Sequence, residues 1–145
     1  MLESTSKVLS YLGNGVSFST CFNSGLGQVE FMRPSQYEVR HLLKVAPKEP
    51  FTILVDRMGN VHISTPLTTL VTSYNERFKT ICEGLAEKCL VEPLSIFAED
   101  GCMCIGAMIE PHNLSKTLFS EAIAIIESAA CVFRDYLADF GYDHL

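Results

Sequence analysis

The sequence contains no tryptophan, and its basic residues are few. Eleven Lys and Arg stand against seventeen Asp and Glu among 145 residues, which gives a formal net charge of −6. A protein that binds nucleic acid needs clustered cations to replace the counterions of the phosphate backbone, and here the basic residues are scattered. The composition therefore argues against a nucleic-acid partner.

Long hydrophobic runs are also missing. No stretch approaches the roughly 20 apolar residues that cross a bilayer. The opening residues, MLESTSKVLSYLGNG, carry no apolar run of the kind found in signal peptides. We therefore expect a soluble, cytoplasmic protein with no membrane span.

Motifs of known catalytic and cofactor sites are absent. The chain has no G-x-S-x-G, no H-E-x-x-H, no phosphate-binding loop and no calcium loop. His62 is expected to point outward from a strand, because Val61 and Ile63 take the other face, and Asp56 is explained by turn chemistry. We expect no catalytic residues, no metal and no cofactor, so the protein is predicted not to be an enzyme.

The six cysteines form no C-x-x-C pair, and no histidine lies at metal-ligand spacing from two of them. They are Cys21, Cys82, Cys89, Cys102, Cys104 and Cys131. We interpret them as small buried side chains in a reducing compartment. One alternative stays open, because Cys102 and Cys104 alternate along a predicted strand and would point to one face, as a thiol-dependent enzyme or sensor requires.

Apolar residues make up 48% of the chain, and their spacing divides its first half into one helix and two strand pairs. The helix is predicted over Glu3–Leu12, with Gly13 ending it. Alternating residues predict strands at Val16–Phe22, Gln28–Phe31, Phe51–Asp56 and Val61–Ser64.

The segment Ser35–Val45 has two interpretations. Ser35 and Glu38 have the spacing of a capping box, which opens a helix. The residues Tyr37–Arg40 also alternate as a strand would. The capping box gives the helix a slight advantage.

The second half is predicted to hold two helices separated by a hairpin. Thr65-Pro66 has the pattern of a helix start, and an apolar stripe continues that helix to Cys89. The hairpin is expected at Leu94–Phe97 and Cys102–Ile109, followed by a long helix over Ser115–Phe140. The fold class is thus α+β, a single domain over residues 1–145 with helices packed on an antiparallel sheet.

The long last helix carries an apolar band wider than one core stripe requires. Residues 122–126, AIAII, are apolar almost all round the helix. The whole band is buried in the domain's own core, or part of it meets another subunit. Both interpretations remain open from the sequence.

Three segments resemble the class I type III secretion chaperones, the Tir-chaperone (CesT-like) group. Pro93–Ile105, PLSIFAEDGCMCI, is similar to that family's penultimate strand, acidic-glycine turn and last strand. Leu114–Leu137 resembles its final helix, and Lys7–Gly13 its opening helix. The segment Arg33–Pro50 departs from the pattern, since the family reaches its middle helix after three strands.

The resemblance implies a cytoplasmic homodimer, or a heterodimer with a related chain. Such a protein holds the N-terminal segment of a secreted effector or gatekeeper in extended form, by apolar grooves and strand addition. The dimer interface implied by position comprises Leu70, Tyr74, Phe78, Ile81, Ile105 and Met108. The partner-binding residues implied by position are Leu9, Leu12, Phe18, Phe22, Val29 and Phe31. For each of these residues, ordinary core packing is the alternative.

A roadblock/longin-like or profilin-like scaffold subunit is the second interpretation. From Ser35 onward, the predicted order of helix, hairpin, helix, hairpin and helix resembles the roadblock group, and Val55–Val61 is similar to its first hairpin turn. That group has three strands before its last helix, whereas two are predicted here. It also leaves about 34 N-terminal residues unexplained.

Overall fold

A computed structural model describes residues 1–13, 15–69, 80, 84, 94–99 and 102–139. The helices with described bounds are α1 (Glu3–Leu12), α2 (Gln36–Arg40) and α3 (Lys116–Asp139), with a short 3-10 turn at Pro111–Asn113. The strands are β1 (Phe18–Asn23), β2 (Gly27–Met32), β3 (Thr52–Val55), β4 (Val61–Thr69), β5 (Ser95–Glu99) and β6 (Cys102–Ile109). The protein therefore has the predicted α+β fold.

The six strands form one antiparallel sheet in the order β1-β2-β3-β4-β6-β5. The first four strands follow one another as a meander. The β5–β6 hairpin then places β6 beside β4, so that β5 is the outermost strand on that side. β1 and β5 are the two edges of the described sheet.

Helices α1 and α3 cover one face of the sheet, and the apolar core lies between them and the strands. Alternate strand residues point into this core, among them Met32, Ile53, Ile63 and Ile105. We call this side the helix face. The residues between them in sequence point to the opposite side, which we call the open face.

Polar contacts fix the position of α1 on the sheet. The Thr5 hydroxyl and the Leu2 amide both donate to the buried carboxylate of Glu30 on β2. The Ser4 hydroxyl donates to the carbonyl of Gly59 at 2.6 Å. Gly59 has φ of +86°, and a Cβ there would lie 3.1 Å from the Ser4 hydroxyl, so a side chain at this turn would push α1 away.

The capping box predicted at Ser35 is present. The Ser35 hydroxyl accepts from the Glu38 amide, and the Glu38 carboxylate accepts from the Ser35 amide at 2.9 Å. The helix that it opens is short, however, because α2 ends at Arg40 and residues 41–50 have no regular secondary structure. The helical interpretation is correct for the start of the segment and wrong for its length.

The predicted helix start at Pro66 is wrong. Strand β4 continues through Pro66 to Thr69 and pairs with β6, with an irregular register between Pro66 and Thr68. Proline is tolerated at such a bulge because it needs no ladder donor there. The Thr65 hydroxyl, expected to cap a helix, donates instead to the carbonyl of Pro50 at 3.1 Å.

Arg134 of α3 supports this irregular strand from the core. Its Nη2 donates to the carbonyl of Pro66 at 2.8 Å, although the side chain is buried. A carbonyl at a bulge needs a donor from outside the ladder, and Arg134 provides it. The rest of the predicted middle helix, to Cys89, lies outside the described residues except for Thr80 and Gly84, which are both helical.

Helix α3 agrees closely with the predicted last helix. The Ser115 hydroxyl accepts from the Leu118 amide at 3.1 Å, as an N-cap does. One stripe of the helix is buried against β4 and β6. Its members are Phe119, Ile123, Ile126, Ala130, Phe133 and Leu137.

Candidate binding surface

Strand β1 is an open edge. It pairs with β2 over six consecutive residues without a bulge, and every residue from Phe18 to Phe22 is exposed. Sheet edges are usually protected by charged residues, proline or bulges, since their free N–H and C=O groups pair readily with another strand. The sequence of β1, FSTCFN, contains no charged residue and no proline.

The large side chains of this edge lie on one side of β1, and small ones lie on the other. Phe18 and Phe22 are 38% and 78% exposed, and both point to the helix-face side of β1. Ser19 and Cys21 point to the open face, where Ser19 lies opposite Phe31 of β2. Because these two side chains are small, they leave room beside the larger residues of the neighbouring strands.

That room is a cavity of 530 Å³ over the open face of β1, β2 and β3. Phe31 and Leu54 contribute apolar side chains to its lining, and Arg33 contributes a charged one. The Arg33 guanidinium stands over the Phe31 ring, 5.0 Å from its centroid, in a cation–π contact. The lining of the cavity therefore combines apolar and polar side chains, with one cation at its boundary.

A second cavity, of 410 Å³, lies over the middle of the open face and shares Leu54 with the first. The strand register places Phe31, Leu54, His62 and Met108 in a row across β2, β3, β4 and β6. Thr52, Ser64, Ser95 and Phe97 complete much of the lining. The open face thus presents a row of apolar side chains with hydroxyl groups beside them.

His62 is fixed in this row by Asp56. Its Nε2 lies 2.9 Å from the Asp56 carboxylate, which is buried and also accepts from the Met58 and Asn60 amides and from the Asn60 side chain. Burial alone would raise the pKa of Asp56, but the hydrogen bonds from His62, Asn60 and Met58 outweigh it and lower that pKa. In the described part of the chain, Asp56 is the hydrogen-bond partner of His62.

The sequence predicts Asp56 as a turn residue and His62 as a residue that points outward from its strand. The turn chemistry is correct, since the Asp56 carboxylate accepts two amides of the turn. The contact with His62 was missed. The signal that could have found it is the hairpin itself, because the turn between β3 and β4 brings the residue after β3 beside the second residue of β4.

The six predicted partner-binding residues do not form one surface. Phe18, Phe22 and Phe31 lie at the β1 edge or line its cavity. Leu12 and Val29 are buried. Leu9 is half-buried and packs against the core from α1.

Two of the six predicted dimer-interface residues lie in the described part of the chain. Leu70, Tyr74, Phe78 and Ile81 lie outside the described residues. Ile105 is fully buried on the helix face, whereas Met108 is 42% exposed on the open face. Three residues apart on one strand, these two side chains point in opposite directions and belong to different surfaces.

Among the described cysteines, Cys21, Cys102 and Cys131 are free thiols. Cys102 and Cys104 lie on the same face of β6, as their alternation predicts, while Met103 between them faces the core. Burial raises the pKa of the Cys131 thiol, and the neighbouring Glu127 carboxylate raises it further. Cys82 and Cys89 lie outside the described residues.

The described residues contain neither a metal-binding cluster nor a membrane-spanning helix. Within residues 1–69, 94–99 and 102–139, as far as they are described, no group of three or more His, Cys, Asp or Glu is arranged to hold a metal ion. None of the described helices is long and apolar enough to cross a membrane. The sequence matches no model of a known protein family and no curated protein.

Proposed function

We propose that the protein is a non-catalytic binding domain that takes up an extended segment of another protein at strand β1. The observation that carries this proposal is the β1 edge, which is exposed, regular and free of charge and proline. A strand that pairs there gains main-chain hydrogen bonds, while its alternate side chains enter pockets on the sheet.

The lining of the edge cavity defines the segment that fits. Side chains of an added strand on the open-face side lie beside Ser19 and Cys21, which leave space above Phe31 and Leu54. Apolar side chains at every second position would fill that space. A carboxylate near the end of the cavity would meet Arg33.

The proposed biological setting is that of a type III secretion chaperone. In that setting the protein is cytoplasmic, pairs with a second subunit and holds the N-terminal segment of a secreted effector or gatekeeper. An N-terminal helix, an antiparallel sheet and a long C-terminal helix match the layout that the family resemblance implies. A roadblock-like fold beginning at Ser35 accounts less well for the chain, since β1 and β2 are part of the same sheet.

The test is copurification from the native host with variants of the edge. We expect Cys21→Lys to abolish recovery of the bound protein, because the lysine places a charge in the cavity and beside the free edge. Tyr37→Lys is the matched control, since Tyr37 is exposed on α2 and lines neither cavity. Equal recovery of the partner with both variants would rule out β1 as the binding strand.

A further inference from the structure

Helix α3 carries a second apolar stripe beside the buried one, in which Ala122 and Ala129 are partly buried at the border of the core. Its members recur at alternating spacings of four and three residues, which is the a/d pattern of a helix that packs along another helix. They are Leu118, Ala122, Ile125, Ala129 and Val132. Leu118, Ile125 and Val132 are 37%, 46% and 55% exposed, although β-branched and long apolar side chains are normally buried.

This stripe forms one wall of a groove. Two adjoining cavities of 350 and 380 Å³ run along α3 and share Leu94 and Ile125. The other wall consists of Leu94 and the last residues of β6, Ala107–Ile109, which extend beyond the pairing of Ser95 with Gly106. From Leu118 to Val132 the groove follows about 21 Å of helix, the length of about four turns.

The charge around the groove is acidic. Glu110 and Glu121 line one end, and Asp135 follows Val132 at the other end on the exposed side of α3. His112 lies 3.3 Å from Glu110, and both side chains are largely exposed. Among the described residues, no Lys or Arg lines either cavity.

This charge disfavours a second copy of the chain as the occupant. Two α3 helices paired antiparallel through their outer stripes would place Glu121 of one opposite Asp135 of the other. Like charges at flanking positions of a helix pair oppose association. Basic residues in the same positions would instead meet the carboxylates.

We propose that the groove binds an amphipathic helix of another protein, one with Lys or Arg beside its apolar stripe. Apolar side chains of that helix pack between the α3 stripe and Leu94, and its cations pair with Glu110 and Glu121. The site is separate from the β1 edge and does not depend on strand addition there.

Two synthetic peptides of about three heptads test the proposal, since that length spans the groove. Both carry the same Leu and Ala stripe, and they differ only in flanking residues, Lys in one and Glu in the other. Fluorescence anisotropy with the full chain is expected to show at least about tenfold tighter binding of the Lys peptide, or about 1.4 kcal/mol. The difference should shrink as salt is added.

Variants of the chain test whether the Lys peptide binds in the groove along α3. Ile125→Asp should lower the affinity for the Lys peptide by at least about tenfold. Glu121→Lys should reduce the preference for it over the Glu peptide. Val45→Asp is the control, since Val45 is 70% exposed and lines neither cavity. Ile125→Ser replaces Ile125→Asp if circular dichroism shows that the latter does not fold.

Three results would overturn the proposal. One is failure of the Lys peptide to bind, and another is equal binding of the two peptides. The third comes from light scattering: a wild-type dimer that dissociates in Ile125→Asp would assign the groove to a second copy of the chain.

Discussion

The two faces of the sheet are built from neighbouring residues of the same strands, and they differ in how completely they are filled. On the helix face, Ile53, Ile63 and Ile105 are buried against α1 and α3. On the open face, the row that contains Leu54, His62 and Met108 borders cavities of 410 and 530 Å³. The helix face is closely packed, whereas the open face has apolar side chains that border cavities.

Strand β6 provides the most direct way to test this difference. Ile105→Ala should lower the free energy of unfolding by about 2–5 kcal/mol, because it removes a buried side chain and leaves a cavity. Met108→Ala should cost less than about 1 kcal/mol, since much of that side chain is already in water. Urea denaturation of the two variants measures both values. Equal losses would mean that the open face is as tightly packed as the helix face.

Gly106 tests how closely the strands approach on the open face. A Cβ there would lie 2.5 Å from the Ile63 carbonyl oxygen and 2.9 Å from the Ser64 Cβ, so the backbone must shift. We expect Gly106→Ala to cost about 1–3 kcal/mol in urea denaturation, as overpacking does. Gly25→Ala is the matched control, because the nearest atom to its Cβ is 3.7 Å away. A neutral Gly106→Ala would contradict the close packing of β4 against β6.

Asp56 should make stability depend on pH. Its pKa in the folded protein lies below its ordinary value, so the unfolded chain binds the proton more readily. The stabilisation is therefore present above the unfolded pKa of about 3.9 and is lost as pH falls through the lower folded value. Asp56→Asn should lower stability by about 1 kcal/mol at neutral pH.

The pH dependence itself checks this account of Asp56. Urea midpoints of wild type and Asp56→Asn, measured from neutral pH to about pH 2, should converge in the acid range. A gap between them that stays constant below pH 4 would show that the Asp56 carboxylate contributes no charge-dependent stability.

Substitution of single cysteines is expected to have the smallest effect on the free energy of unfolding, and to change only the number of reactive thiols. Cys21 is exposed on β1, whereas burial raises the pKa of Cys131. Labelling with a chromogenic disulfide should therefore lose one fast-reacting thiol in Cys21→Ser and none in Cys131→Ser. The opposite result would mean that the β1 edge is covered in solution.

Sequence patterns predicted helices and strands well where a local interaction, such as a helix cap, is sufficient to determine the structure. The capping box at Ser35 and the N-cap at Ser115 both opened helices as expected. Thr65-Pro66 misled, because the same dipeptide suits a helix start and a strand bulge. In the structure this segment pairs with β6, and Arg134, 68 positions later, donates to the carbonyl of Pro66.

The candidate surface was less predictable for a related reason. Apolar spacing shows that a residue is suited to burial, but it does not show which of two apolar stripes the fold will cover. Even on one face of β2 the outcome differs, since Val29 is buried whereas Phe31, two residues later, borders a cavity. Likewise, the sequence shows that the apolar band on α3 is wide. It does not show which part of the band is buried, because that depends on how α3 packs against the sheet.

Amide hydrogen exchange of β1 with the copurified partner bound is the most direct test of the central claim. Strand addition predicts that outward amides among residues 18–23 become protected on binding, while those of the exposed helix α2 do not change. A bound partner that leaves exchange in β1 unaltered would contradict the proposal that this edge is the binding strand.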